Sequence, residues 1–270
     1  MVNGLYSRTV GEGPDAVLLH GLFGQGSNLG SIARALQTRF TVHSLDLPDH
    51  GRSPWTEAAS LDTYASSVAC WLDDQGITSA AVIGHSLGGK VAMMLALQEP
   101  QRVSRLVVAD IAPVTYQPSH SAVFAGIAAV EAAQCGSRSD ANQVLEDFVS
   151  EPAVRQFLLL NLKNAGSPSS RSSEPMVWQF NWQGLQEAYS SLLAWPEDTT
   201  PCSLSNNALF IRGALSGYVS IEGLEAIEKT FPGAAVETLA GAGHWLHAEQ
   251  PTPFNQLVLD FLLGGQNRVL

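Results

Sequence analysis

Positive charge is scarce in this chain: 14 Lys and Arg stand against 25 Asp and Glu, a formal net charge of -11. That balance excludes the broad basic surface by which a protein binds nucleic acid or an anionic membrane, and it disfavours a highly anionic substrate. Cysteine is nearly absent. Cys70, Cys135 and Cys202 are odd in number and far apart, with neither metal-ligand spacing nor a disulfide framework. No uninterrupted apolar run approaches the ~20 residues of a membrane span. The first residues, MVNGLYSRTV, show no basic segment leading into an apolar one. The expectation is a soluble, cytoplasmic protein with no nucleic acid and no membrane as partner. Apolar side chains, by contrast, are ample, at 45% of 270 residues, enough for the core of one large α/β domain.

One stretch organises the rest. Ala80 to Ile83 is a short apolar run of the kind that forms a fully buried strand, and Leu87 to Leu97 carries an Ala-rich helical pattern that meets no proline until Pro100. Between them lies Gly84-His85-Ser86-Leu87-Gly88. A serine in a tight strand-to-helix turn, with glycine two residues away on both sides, matches the elbow that presents a nucleophilic hydroxyl. The glycines have a steric reason: a side chain at 84 or 88 would collide with the neighbouring strand or helix. Ser86 itself must take a strained backbone, which lifts its hydroxyl clear of the sheet and beside a helix N-terminus.

Around this turn, strands and helices alternate. Strands are expected at Leu5–Val10, Ala16–Leu19, Phe40–Leu45, Val103–Ala109, Ala208–Ile211 and Ala235–Leu239, with helices at Asn28–Leu36, Leu61–Gly76, Ile221–Phe231 and Phe254–Leu263. Such alternation implies parallel βαβ units and an open sheet covered on both faces. From about Pro113 to Thr200 strand-like runs disappear. Helical stretches take over at Ser121–Gln134, Asp140–Phe148, Pro152–Leu162 and Gly184–Leu193, and the Ser/Pro-rich AGSPSSRSSEP between two of them reads as an exposed loop. The organisation expected is a core of residues 1–112 and 201–270 with a helical lid, 113–200, inserted into it.

Attack by a hydroxyl on an acyl carbon requires a base, a group that orients the base, and N–H donors for the oxyanion. His244, in the glycine-rich loop after the last expected strand, is the best base, and His247 is its one rival. The acid is more open. The loop 212–220, a usual place for it, holds no carboxylate, so Asp110 at the end of the strand before the insert is the substitute and Glu222 the fallback. Oxyanion donors are expected from the backbone of Leu87 and of Leu22, with Phe23 as the alternative to Leu22. Lys90 reads as a helix residue. Most aromatics of the insert are core, and some are expected to line a pocket over Ser86. Phe23, Trp182 and Trp245 are the candidate substrate contacts.

HGLFG, DLPDHGRS, GHSLGG and GAGHW, in that order, resemble the α/β-hydrolase superfamily over nearly the whole length. HGLFGQGSNLG, GHSLGGKVA, DIAPVTY and AGAGHWLHAEQP look most like the bacterial YbfF-type esterases. The resemblance implies an α/β-hydrolase fold, with a mostly parallel central sheet, helices on both faces and a helical cap inserted after the sixth strand. It further implies a cofactor-free, metal-free hydrolase of small carboxylic esters or thioesters with short-to-medium acyl chains, working through an acyl-enzyme. In such esterases the acid follows the strand before the cap, which fits Asp110. Haloalkane dehalogenases and epoxide hydrolases share the scaffold but use an aspartate nucleophile, which Ser86 argues against. Carbon–carbon bond hydrolases and perhydrolases keep the serine and remain alternatives, as does a non-catalytic binder of this fold.

Overall fold

A computed structural model describes residues 1–164, 175–197, 199–202, 204 and 207–264. Nine strands are described: β1 (Ser7–Val10), β2 (Asp15–Leu19), β3 (Thr41–Leu45), β4 (Ala80–His85), β5 (Val103–Ala109), β6 (Leu162–Asn164), β7 (Met176–Trp178), β8 (Ala208–Gly213) and β9 (Ala235–Leu239). Seven of them form one sheet in the order β1-β3-β2-β4-β5-β8-β9. The edge strand β1 runs antiparallel to β3, and the other pairs are parallel.

Helices α1 (Gly30–Leu36), α2 (Leu61–Asp74) and α3 (Leu87–Gln98) connect the first strands. Between β5 and β8 lie α4 (Ser121–Ala132), α5 (Arg138–Glu146), α6 (Pro152–Leu159), α7 (Trp182–Glu187) and α8 (Tyr189–Leu193). Then come α9 (Ile221–Thr230), α10 (Leu246–Glu249) and α11 (Pro251–Leu262).

The period-two geometry of the strands divides the core in two. Val17, Leu19, Val82, Leu106, Val108 and Phe210 face one way and pack with α2, α3, α9 and the insert. Ala16, Leu18, Ile83, Val107, Leu209 and Ile211 face the other and pack with α1, α10 and α11. Continuous apolar strands such as β4, buried along its whole length, follow from being covered on both faces.

Five strands precede the insert, as the residue patterns give, and not the six that the resemblance implied, because a single edge strand stands before β2. The insert is not purely helical. β6 and β7 pair as an antiparallel ribbon, Leu162 opposite Trp178, in strands too short for their alternation to show in sequence. The stretch Gly184–Leu193, expected as one helix, is two, with Ala188 between them. Residues 165–174 of the expected Ser/Pro-rich loop lie outside the described residues. Among the described residues no helix is long and apolar enough to cross a membrane.

Helix α3 meets the sheet at backbone contact. A Cβ on Gly84 would lie 2.2 Å from the carbonyl oxygen of Gly88, and one on Gly88 would lie 2.2 Å from that of Leu19. Gly88→Ala therefore has no room without moving α3 off β2 and β4. We expect a loss of ~3 kcal/mol or more, a fall of roughly 10 °C in thermal midpoint. A midpoint unchanged from the parent protein in a calorimetric scan would overturn this reading of the turn.

Candidate active site

A parallel sheet delivers the loops after its strands to one edge, and three such loops meet here. Ser86 follows β4, Asp110 follows β5, and His244 lies between β9 and α10. Two of these turns use left-handed backbone: Ser86 has φ 52° and Asp110 φ 53°. Strain of this kind, of order 1–3 kcal/mol per residue, is held by the surrounding bonds. The Ser86 N–H donates to Ala109 O at 3.0 Å, and Ser86 O accepts from Lys90 N–H at 3.1 Å.

The three side chains are connected in series. The Ser86 hydroxyl lies 3.1 Å from His244 Nε2, and His244 Nδ1 lies 2.8 Å from Asp110 Oδ2. With Nδ1–H donating to the carboxylate, Nε2 is the acceptor for the serine proton, a tautomer assigned from the partners. Asp110 has no exposed surface. Its Oδ1 accepts the Gly213 N–H at 2.9 Å, and its Oδ2 also accepts the Ser216 hydroxyl. The two oxygens of this buried carboxylate are thus shared among His244, Gly213 and Ser216. The imidazole is fixed as well: the Tyr218 ring stacks on it with centroids 3.8 Å apart and planes at 16°. His85 Nε2–H donates to the His244 carbonyl at 2.8 Å and holds the loop beneath. Such a chain can take a hydroxyl proton and return it to a leaving group without moving a backbone atom.

Leu22 and Leu87 flank Ser86 on the wall of the same cavity. Among the described residues no hydrogen bond reaches either backbone N–H, and Leu87 is the first residue of α3, where such groups are free by helix geometry. Phe23 is excluded as the alternative donor, because its N–H goes to His50 Nε2 at 3.2 Å.

Several expected residues lie elsewhere. Glu222 is exposed in the first turn of α9, where it accepts the Ser220 hydroxyl at 2.7 Å. That bond holds its carboxyl below the usual range, and nothing joins it to His244. His247 is buried against His85 and Phe254 on α10, away from Ser86.

The candidate substrate contacts do not line the cavity. Phe23 is buried among Phe124, Phe180 and His120. Trp182 gives its indole N–H to Glu131 at 3.0 Å, and Trp245 packs on Phe157. Each satisfies its ring by packing or a hydrogen bond within the protein.

The cavity, about 290 Å³, is walled instead by Ile111, His120, Tyr189, Leu192, Leu193 and Tyr218 beside the serine. All but Tyr218, which lies between β8 and α9, are at or near the two ends of the insert. Their signal in sequence is position, just after β5 and in the last helix before the chain returns to the sheet. Residue type alone does not reveal them. Ser216 was equally invisible, since a serine in a loop carries no mark of the carboxylate it serves.

Lys90 is in α3, as its helical pattern implied, but its ammonium crosses to the insert. Nζ donates to Val114 O at 3.1 Å, Leu193 O at 2.5 Å and Ala194 O at 2.9 Å. Burial pushes its pKa down to about 7, whereas the carbonyl acceptors favour the charged form. DLPDHGRS ties the insert at a second point. Asp49 Oδ1 accepts Asn181 Nδ2–H at 3.0 Å, and Asp49 Oδ2 accepts the Tyr64 hydroxyl at 2.9 Å.

A model of the alpha/beta hydrolase fold matches residues 17–251, and the chain belongs to the α/β-hydrolase family. It is 37% identical over 257 residues to the sn-1-specific diacylglycerol lipase ABHD11 of Mus musculus, covering 92% of this chain and 81% of that one. It is 36% identical over 236 residues to esterase YbfF of Escherichia coli, covering 87% of each. Among solved structures, a marine microorganism esterase superposes with TM-score 0.88 at 32% identity, covering 95% of this chain and 98% of that one.

Buried histidines next to this site set a pH limit. His20 donates Nδ1–H to Gly21 O at 2.8 Å and accepts Leu47 N–H on Nε2 at 2.9 Å. His50 donates Nδ1–H to Pro48 O at 2.8 Å and uses Nε2 for the Phe23 N–H. A second ring proton would face an N–H in both. Desolvation lowers His20 to about 4 and His50 to about 3, and it also lowers His85 and His247. The unfolded chain, with histidines near 6.5, therefore binds more protons than the fold between about pH 6.5 and the folded values. Stability is fully present above pH 6.5 and falls as pH drops below it, by up to ~1.4 kcal/mol per pH unit for each such histidine. Urea midpoints measured from pH 8 to 4.5 are expected to be flat and then to fall below 6.5. A flat curve throughout would overturn the neutral assignments.

Proposed function

We propose that this protein is a serine esterase in which Ser86 is the nucleophile, His244 the general base and then acid, and Asp110 the residue that orients His244. The chain is a carboxylesterase-type hydrolase, as its likeness to an esterase and a lipase supports. The observation that carries the residue assignments is the continuous path from the Ser86 hydroxyl through His244 to Asp110. As Oγ bonds to the ester carbonyl carbon, its proton passes to His244 Nε2, and the carbonyl oxygen takes up negative charge between the N–H groups of Leu22 and Leu87. Each such donor is worth ~2.7–4 kcal/mol in the transition state. Collapse breaks the bond to the alcohol oxygen, which receives the proton from Nε2, and leaves an acyl-Ser86. Water, deprotonated by His244, then releases the acid.

The insert, 113–200, acts as the cap over this site in our reading, with Lys90 and Asp49 as its fastenings to the core. The apolar walls and a volume of about 290 Å³, at the small end of the ~300–1,000 Å³ typical of ligand pockets, support uncharged esters with short to medium acyl chains. Thioesters react by the same steps and belong to the same proposal.

Ser86→Ala is expected to lose on the order of 10⁶ in kcat with its thermal midpoint kept, and Asp110→Asn to lose on the order of 10⁴ by leaving His244 in the wrong tautomer. Glu222→Gln serves as the control for the acid and retains activity. p-Nitrophenyl butyrate hydrolysis measures all of them. Near-parental turnover by the serine variant would remove the mechanism, and a loss confined to the Glu222 variant would move the acid.

A further inference from the structure

The cavity beside Ser86 contains many polar groups, but nearly all are committed to the protein. Lys90 is used by its carbonyls. The Tyr116 hydroxyl donates to Tyr218 O at 2.7 Å and accepts Ala112 N–H at 2.9 Å. Gln117 is exposed.

His120 is different. It lines the cavity immediately before α4. Its Nδ1 is hydrogen-bonded to the Tyr189 hydroxyl, which also accepts the Ser119 N–H at 3.4 Å. Among the described residues that hydroxyl has no acceptor in reach except Nδ1, so its single proton goes there. The ring is then the neutral tautomer with its proton on Nε2. Burial and the nearby His244 lower its pKa and keep it neutral. Among the described residues Nε2 has no partner, and it is not one of the atoms sealed from solvent without one. The Phe23 ring, edge-on at 6.1 Å, sets the ring's position from the core side.

We propose that His120 is a substrate-recognition residue. Its Nε2–H takes a second oxygen of the substrate, so the preferred esters carry an ether, carbonyl or hydroxyl oxygen besides the scissile group. This rests on the esterase reading above. A neutral donor in an apolar wall gains little from a hydrocarbon chain, which would strip its water and give no acceptor in return. The same donor rewards an oxygen placed against it. Discrimination of this kind comes from leaving a polar group unpaired with the wrong substrate.

The test uses ester pairs that differ by one CH₂ replaced by O. On the acyl side these are p-nitrophenyl pentanoate and p-nitrophenyl 3-methoxypropanoate. On the alcohol side they are butyl acetate and 2-methoxyethyl acetate. For each pair the ratio of kcat/KM values, oxygen over carbon, is divided by the same ratio for hydroxide hydrolysis. The parent protein is expected to give a corrected ratio of roughly five to ten in one pair, the worth of one hydrogen bond. His120→Phe brings that ratio to about one, whatever happens to the absolute rates, and His120→Gln, whose amide can donate, restores part of it. A corrected ratio of one in both pairs for the parent, or a ratio that survives in His120→Phe, overturns the proposal while leaving the esterase intact. Failure of the parent protein to hydrolyse any of the four esters overturns the esterase reading, and the proposal with it.

Discussion

The close approach of α3 to the sheet is the constraint from which the rest follows. Gly84 and Gly88 allow the helix to begin directly against the carbonyls of β2 and β4, and the chain can reach that position only by passing through the left-handed backbone of Ser86. One geometric requirement thus fixes three things. The hydroxyl stands above the sheet edge, the first N–H groups of α3 point at the space beside it, and the loop after β2 lies close enough for Leu22 to share that space. Gly21 serves the same end, since a Cβ there would meet His85 Nδ1 at 3.2 Å and Ser86 Cβ at 3.3 Å. The turn is strained because the site requires it, and the buried strands on both sides supply the stabilisation that holds it.

Histidine is used here chiefly as a neutral, two-ended connector. Of the seven in the chain, His20 and His50 each join two backbone segments, donor at one nitrogen and acceptor at the other. His85 secures the carbonyl of His244, and its own ring lies between those of His244 and His247. His244 differs in facing a carboxylate, Asp110, within the site, whereas burial lowers the pKa of His20, His50, His85 and His247. The surrounding histidines shape the loops. The one beside Asp110 is set between that carboxylate and the Ser86 hydroxyl.

The sequence made the scaffold legible because its signals are local. Gly84 to Gly88, the apolar run of β4 and the glycine loop before His244 are each readable within a few residues, and the alternation of strands and helices places them on one edge. Asp110 was reachable by elimination, since the 212–220 loop lacks a carboxylate, and the serine found there, Ser216, now donates to Asp110. The cavity was not legible. Residue type is what points to Phe23, Trp182 and Trp245, and an aromatic ring is as well satisfied in a core as in a pocket. The residues that do wall the cavity are ordinary ones placed by long-range folding, such as Leu192 and Ile111. The short ribbon of β6 and β7 is silent in sequence for a related reason: three-residue strands show no period to read.

Lys90 joins these two parts of the molecule. It is the fourth residue of the helix whose start sets Ser86 in place, and its ammonium binds carbonyls at both ends of the insert, Val114 on the way out of the sheet and Leu193 and Ala194 on the way back. Among the described residues no carboxylate pairs with it, and its ammonium faces backbone dipoles and the rings of Tyr116 and Trp195. An apolar side chain at this position would leave those carbonyls without this donor. The helix that begins after Ser86 therefore also holds the two ends of the insert, and with them Leu193 of the cavity wall.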